Sequence, residues 1–302
     1  MFRKTFVCML LLLMLVPVTK ADYIDPYFEI IKGNVPGHTW VHVKGLDESV
    51  ATTEYVLWAE TVFTWPTSAL VMNVSSGSVN DDDGNTGAWN VTIYGLDINY
   101  HQINETVIMN GQVGVTTILK YFRINHMEVE HVGAAEQNVG IIYIGTGAIV
   151  AGKPAVVYNE IPAGFGISST STYTIPDGKK GYMKYFAFGT DSTKIIELSM
   201  KTRCVDCVNN SWSVDYHDHF QEPEKIHDLP IPFPLLEHTD LKITARNSVG
   251  SAFGTVDMFI ILVDDGYTLI TDTPGGIGGW NVLWLPVIII AVLVLALAGR
   301  RR

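Results

Sequence analysis

The sequence predicts an all-β ectodomain, an antiparallel β-sandwich or jelly roll, followed by one C-terminal transmembrane helix. Three observations predict this class. Short segments alternate apolar and polar residues with a period of two, which is typical of half-buried strands. Asn-Gly, Asp-Gly and Pro-containing turns separate these segments at short intervals. No stretch between the two apolar ends carries an amphipathic helical stripe over ten residues, which disfavours helical and Rossmann architectures.

The first apolar end predicts a signal peptide over residues 1–21. Arg3 and Lys4 precede an apolar run over residues 6–16, and small residues precede a cut before Asp22. About eleven apolar residues are too few for a membrane span, which needs roughly 20. The mature chain is therefore predicted to begin at Asp22 and to leave the cytoplasm.

The ectodomain is predicted over residues 22–265, as one sandwich or as two subdomains that meet near residue 190. The Pro-rich stretch 223–234 predicts a loop or a crossing at a sheet edge, because Pro cannot donate to a central ladder. The alternating segments are 89–94, 127–130, 172–175, 198–201 and 241–245, with a central strand predicted at 141–144. The turns are predicted at Asp83-Gly84, Asn110-Gly111, Pro162-Ala163-Gly164, Pro176-Asp177-Gly178 and Asp265-Gly266.

The second apolar end predicts a membrane anchor. A polar, Gly-containing stalk over residues 266–279 leads into a transmembrane helix at 280–299, which ends at the basic tail 300–302. Because positive residues stay in the cytoplasm, this helix and the signal peptide both place the N-terminus outside and the C-terminus inside. Thr273 begins a Thr-Pro-Gly-Gly motif, so removal of the helix by a sortase-like enzyme is an alternative to plain anchoring.

The charge distribution argues against nucleic-acid binding. The whole chain has a formal net charge of −11. The sequence shows no clustered basic face of the kind that binds phosphates. Between residues 22 and 281, 14 Lys and Arg stand against 31 Asp and Glu, a net charge of −17. Such a charge keeps copies of the domain apart or attracts cations or a basic partner.

The cysteines and glycosylation motifs fit an exported chain. Cys204 and Cys207 remain after signal removal and predict a disulfide; the alternatives are a zinc site with neighbouring His and Asp side chains, or free thiols. Four Asn-X-Ser/Thr motifs permit N-glycosylation in a eukaryotic or archaeal host. Their asparagines are Asn73, Asn90, Asn104 and Asn209.

The sequence contains few candidates for chemistry, and it predicts a protein that is not an enzyme. It has no nucleophile elbow, P-loop, zinc-protease or dinucleotide motif. The acidic loop 80–85 is predicted to be a solvated turn, and the alternative is a calcium site at Asp81, Asp83 and Asn85. No other cofactor is expected. His217-Asp218-His219 with Glu222 predicts an exposed loop first and a transition-metal site second.

Arg123 and several aromatic residues are assigned structural roles from the sequence. Arg123 stands among apolar neighbours and is expected to pair with a carboxylate at a sheet edge. Large aromatic residues are expected in the core or in strand pairs, with a sugar-binding platform as the alternative. These aromatic residues are Trp58, Trp65, Trp89, Tyr94 and Tyr100.

The succession of segments resembles a family of β-rich virion structural proteins of tailed phages and other marine viruses. It departs from that pattern in its predicted signal peptide and anchor, and in having VKGLDES at 43–49 where an FGRN-like stretch is expected. The resemblance implies a particle component with no catalytic residues to carry over. It rests on DPYF at 25–28, IIKGNVPGH at 30–38, FTWP at 63–66, VSSGSVNDDDGNTGA at 74–88, VTIYGLD at 91–97, INETVIMNGQ at 103–112, YFRINHMEV at 121–129, NVGIIYIGTG at 138–147, YTIPDGKKGYM at 173–183, TDLKITAR at 239–246 and FIILVDD at 259–265.

The leading hypothesis is a membrane-anchored virion structural or surface protein. Its expected partners are the lipid membrane, other virion proteins, further copies of itself, and a host receptor or glycan. The acidic loop 80–85 and the stretch 212–238 are the candidate binding regions, because loops vary at little cost to the core. The alternative is a cellular surface adhesin or envelope-layer protein with the same fold.

Overall fold

A computed structural model describes residues 25–60, 62–207, 210–221 and 223–269. The predicted signal peptide 1–21, most of the stalk, the helix 280–299, the tail 300–302 and Asn209 lie outside these ranges. Within the ranges, no helix is long and apolar enough to cross a membrane.

The described residues form sixteen strands, and every strand pairing between them is antiparallel, which confirms the all-β, antiparallel prediction. The strands are β1 His38–Val50, β2 Tyr55–Val56, β3 Asn73–Ser76, β4 Ala88–Leu96, β5 Gln102–Ile108, β6 Val115–Thr116, β7 Arg123–Val132, β8 Ile142–Val150, β9 Lys153–Ile161, β10 Thr172–Thr174, β11 Lys179–Thr190, β12 Ile196–Cys204, β13 Ser213–Phe220, β14 Glu224–Leu235, β15 Thr239–Asn247 and β16 Ala252–Asp264.

These strands make four sheets in the described chain. Sheet I has the order β1-β16-β11-β14, and sheet II has β10-β15-β12-β13 with β2 paired to β15. Sheet III has the order β6-β3-β8-β9, and sheet IV has β5-β4-β7. The four sheets read as a four-bladed, propeller-like ring, which corrects the predicted single sandwich or jelly roll. Period-two patterns predict individual strands but not which strands pair, because pairing joins segments as distant as β1 and β16.

Three apolar clusters join successive sheets. The largest combines residues of sheets I and II, including Phe186, Phe188 and Ile243, which are almost fully buried. A second combines sheets III and IV around Val74, Ile93 and other buried residues. A small third cluster joins sheet II to sheet III through Val56, Trp58, Tyr143 and Val157. Sheets II and III therefore each contribute to two clusters, whereas sheets I and IV each contribute to one.

One continuous segment of the chain forms two of the sheets, and the segments before and after it form the other two. Sheets III and IV come from residues 73–161, whereas sheets I and II come from residues 38–56 and 172–264. Residue 190 separates β11 from β12, and both strands contribute to the same apolar cluster. Along the chain, the change from one pair of sheets to the other falls between β2 and β3 and between β9 and β10.

The predicted strands and turns lie where the sequence places them. Segment 89–94 lies in β4, with Val91 and Ile93 fully buried, and 141–144 leads into β8, a central strand of sheet III. The glycine of each predicted turn has a positive φ, the conformation that glycine adopts without steric cost. These glycines are Gly84, Gly111, Gly164, Gly178 and Gly266, with φ between 54° and 91°.

The Pro-rich stretch forms β14 at the edge of sheet I, which confirms the edge alternative for that stretch. Its register shifts opposite Met183 and Tyr185, so residues 229–232 bulge out of the ladder and Ile231 is 85% exposed. The bulge contains Pro230 and Pro232, where no ladder hydrogen bond is needed.

A separate unit of the described chain contains one short helix, α1, over Pro26–Ile31. The Asp25 side chain caps it by accepting a hydrogen bond from the Tyr27 amide at 2.9 Å, and Pro26 occupies the first turn. Six residues are too few to show a helical periodicity, so the sequence does not predict this helix.

Candidate functional site

The three residues proposed for calcium differ in burial. Asp81 is fully buried, whereas Asp83 and Asn85 are exposed. Both Asp81 oxygens accept backbone hydrogen bonds: Oδ1 from the amides of Ala88 and Val139, and Oδ2 from the Gly140 amide, each at 2.8 Å. Asp81 Oδ2 also accepts from the Ser76 hydroxyl. Asp81 therefore organises the chain around it, and its oxygens are already used.

The cysteine pair forms a disulfide between Cys204 and Cys207, with their Cα atoms 5.4 Å apart. The bond closes a short loop after β12, and a cavity of about 320 Å³ lies beside it. Its described lining residues include Thr202, Phe233 and Leu235, and none of them is an acid or a base. The zinc alternative at this pair needs two thiolates, which the disulfide consumes.

The three described glycosylation motifs differ in exposure. Asn104 is exposed on β5, an edge strand of sheet IV. Asn73 is half-buried and accepts a hydrogen bond from the Thr116 hydroxyl at 3.0 Å, while Ser75 of the same motif is fully buried. Asn90 is half-buried on the central strand β4. Asn104 is thus the described acceptor most open to a glycan.

Arg123 pairs with a carboxylate, as predicted, but deep inside the molecule. Its Nε donates to Oδ1 of Asp240 at 2.8 Å and its Nη2 to Oδ2 at 3.0 Å. Arg123 is 2% exposed and Asp240 is fully buried. Arg203 Nη2 and the Thr174 hydroxyl donate to the same carboxylate. The pair joins β7 of sheet IV to β15 of sheet II, so it is an internal link between sheets.

Aromatic side chains and cations surround this link. The Trp65 and Trp212 rings stack at 5.3 Å between centroids, and the Arg203 guanidinium lies 4.7 Å from the Trp212 centroid. Lys242 Nζ lies 4.0 Å from the same ring. Burial lowers the pKa of Lys242, and the neighbouring Lys201 and Arg203 lower it further. Cation–aromatic contacts thus fix the segment around Trp212 against sheet II.

Two of the five aromatic residues considered from the sequence are buried, and three are half-buried. Trp58 and Tyr100 are buried, and the Tyr100 ring stacks on His238 at 4.3 Å. Trp65, Trp89 and Tyr94 are half-buried, with the Tyr94 hydroxyl donating to Glu128. These positions agree with the core and strand-pair assignment.

Glu160 is a buried acid that no sequence pattern indicates. It is fully buried on β9, and its Oε1 accepts from the Ala59 amide at 3.2 Å, while Oε2 has no hydrogen-bond partner. Burial raises the pKa of Glu160 to about 7, and the nearby Glu60 carboxylate adds to this effect. Period-two alternation places a Glu outward, so no local pattern predicts its burial.

Two described groups of His and acidic side chains bring their ligand atoms within 4.8 Å of one another. The first contains Glu197, His217 and His219; the second contains Asp177, Glu237 and His238. In the second, His238 Nε2 contacts Asp177 at 3.0 Å and Nδ1 contacts Asp206. Burial opposes protonation of His238, but hydrogen bonds to Asp206 and Asp177 raise its pKa overall. This group is an ion-paired histidine with both nitrogens engaged.

The stretch 212–238, proposed as a binding loop, consists largely of the edge strands β13 and β14. His217 and His219 therefore lie on a strand and not on the loop expected from neighbouring prolines. Glu222, the predicted third metal ligand, lies outside the described residues. Glu197 is the third residue of the cluster with His217 and His219. Only the register of β12 with β13 places it beside them, so the sequence alone does not indicate it as a ligand.

No protein-family model matches the sequence, and no curated protein sequence matches it. Among solved structures, that of the infectious bursal disease virus Gx strain is 9% identical, with 82% of this chain and 78% of that chain covered and a TM-score of 0.17. The Gt strain gives 9% identity, 80% and 77% coverage and a TM-score of 0.17. The VP2 subviral particle of that virus gives 9% identity, with 80% of this chain and 83% of that chain covered and a TM-score of 0.13. Scores of this size carry no argument about a shared fold or function.

Proposed function

We propose that this protein is a non-enzymatic virion structural or surface protein anchored in a membrane. Its β-rich ectodomain packs against other particle proteins or further copies of itself, or contacts a host receptor. The sequence resemblance to virion structural proteins and the two apolar ends motivate the proposal.

The observation that supports a structural role is a buried cluster of ion pairs around Asp240. Arg123 of sheet IV and Arg203 of sheet II both donate to the buried Asp240 carboxylate of sheet II. An interior ion pair of this kind contributes little net stability against an apolar replacement, and we infer that its role here is to specify which elements pack together. We therefore regard the link as a device that holds two sheets in one relative position, which suits a component of a regular particle.

The test is to purify virus particles and host membranes separately and to locate the protein in each by peptide mass spectrometry. The proposal expects recovery in particles, with Asp22 as the first residue. Recovery in host membranes alone would overturn the virion assignment in favour of a cellular adhesin or envelope-layer protein. An N-terminal peptide that begins at Met1 in the particle fraction would overturn the secretory route.

A further inference from the structure

The edge strand β13 presents two histidines on the exposed face of sheet II. His217 and His219 are two residues apart, so both point to the same face, and both are exposed. The register with β12 places Glu197 directly opposite His219 and Ser199 opposite His217. The two imidazoles and one carboxylate therefore converge because of strand pairing.

Neighbouring side chains orient two of these groups. The Ser199 hydroxyl lies 2.9 Å from Nδ1 of His217, which leaves Nε2 of that ring as the ligand atom. Arg246 donates to Oε2 of Glu197 from Nε at 2.7 Å, and its Nη2 lies 2.6 Å from the same oxygen. Oε1 then faces Nε2 of His219 at 3.7 Å. Supporting hydrogen bonds on the second atom of a ligand are typical of metal sites.

The ligand types select the metal. Two imidazoles and one carboxylate suit zinc and neighbouring transition metals, whereas calcium and magnesium require mostly oxygen. The His219 side chain is 54% exposed, so small rotations can bring the ligand atoms to bonding distance and a fourth position stays open to water. The group around His238 lacks this capacity, because Asp177 and Asp206 already engage both nitrogens of the ring.

We propose that Glu197, His217 and His219 bind one divalent transition metal ion, zinc in the first place, at the exposed face of sheet II. The site does not depend on the virion assignment, because it needs only the pairing of β12 with β13. It is reached from solvent and uses no group of the disulfide.

The test is metal binding by the full-length chain, purified in mild detergent and kept oxidised so that Cys204 and Cys207 offer no thiolate. Zinc affinity is measured by competition with a chromophoric chelator, and the visible absorption of bound cobalt(II) reports the ligand geometry. We expect one saturable equivalent, with binding weakened at pH 5.5 because imidazole must be deprotonated to coordinate.

Matched histidine variants locate the ion. His217→Gln and His219→Gln should each weaken zinc binding by at least about tenfold, the loss typical even of groups that only support a ligand. His131→Gln, at an exposed histidine of sheet IV, is the control and should bind as the parent does. Circular dichroism in chelator verifies that each variant is folded.

Two outcomes would overturn the proposal. One is a parent chain that binds no zinc at tenfold molar excess; the other is equal affinity and an equal cobalt spectrum in the parent, His217→Gln and His219→Gln. Loss of binding in His131→Gln alone would move the ion to a different surface and would also reject this site.

Discussion

Arg123 and Asp240, which are 117 positions apart in the sequence, form a two-point ion pair with donor–acceptor distances of 2.8 and 3.0 Å inside the protein. Thr174 and Arg203 complete the hydrogen bonding of the carboxylate. Each charge is compensated only while its partners are present, because neither side chain reaches solvent.

Removal of one member of this pair should be severely destabilising. Arg123→Ala leaves the buried Asp240 with fewer donors and should lower the free energy of unfolding by about 3–5 kcal/mol. Arg246→Ala, at an arginine whose side chain is 49% exposed, should cost less than about 1 kcal/mol. Urea denaturation of both variants measures the difference. Similar losses in the two would contradict the structural importance of the buried pair.

Asp81 should matter for stability, whereas its neighbour Asp83 should not. Asp81→Asn replaces an acceptor oxygen by an amide donor that faces backbone N–H groups, and we expect a loss of about 1–3 kcal/mol. Asp83→Asn should change stability by less than about 0.5 kcal/mol, because the residue is exposed. Thermal unfolding with added calcium and with chelator tests the calcium expectation directly. A calcium-dependent melting temperature that Asp83→Asn abolishes would favour the ion site.

Glu160 should make stability depend on pH. Its folded-state pKa of about 7 lies above the ordinary value of 4.5, so between these values the folded state holds a proton that the unfolded state has lost. The free energy of unfolding should therefore fall as pH rises from about 4.5 to about 7, by up to about 3 kcal/mol, and level off above. Chemical denaturation across this range measures the slope.

Glu160→Gln should reduce that slope and raise stability at pH 8, since no charge is then buried. Glu136→Gln, at an exposed position, is the control and should keep the slope. His238 contributes in the same direction, because its pKa is raised and its stabilisation is lost as pH rises. The assignment thus rests on the difference between Glu160→Gln and the parent, and identical pH profiles would contradict it.

The disulfide should contribute about 2 kcal/mol, because it closes a short loop and constrains the unfolded chain only modestly. The double substitution Cys204→Ser and Cys207→Ser should lower the melting temperature, and a reducing agent should have the same effect on the parent but none on the variant. A parent chain that is insensitive to reductant and carries two titratable thiols would show that the cysteines are free.

Asn104 should be the first of the described motifs to carry a glycan in a secretory host. Its position on an exposed edge strand gives access, whereas Ser75 of the Asn73 motif is buried. Intact-mass spectrometry should show that Asn104→Gln loses one glycan and that Asn73→Gln loses none. The reverse pattern would mean that glycans are attached before these strands fold.

Local chemistry explains which features the sequence predicts. Period-two alternation identifies β4 because Val91 and Ile93 point to one face, and Gly84 marks a turn because it adopts a positive φ. The pairing of β1 with β16 and the link from Arg123 to Asp240 join distant segments, and no spacing rule predicts such contacts. For the same reason the sequence suggests His217 and His219 as ligands but not Glu197.

The pairing of β1 with β16 also determines how sheet I would respond to a pulling force. β16 lies between β1 and β11, and it is paired to both over most of its 13 residues. Tension applied at Asp264 along the strand axis would load these hydrogen bonds together, in shear, instead of opening them one after another. The last strand before the C-terminal segment is thus built to resist mechanical extraction from the sheet.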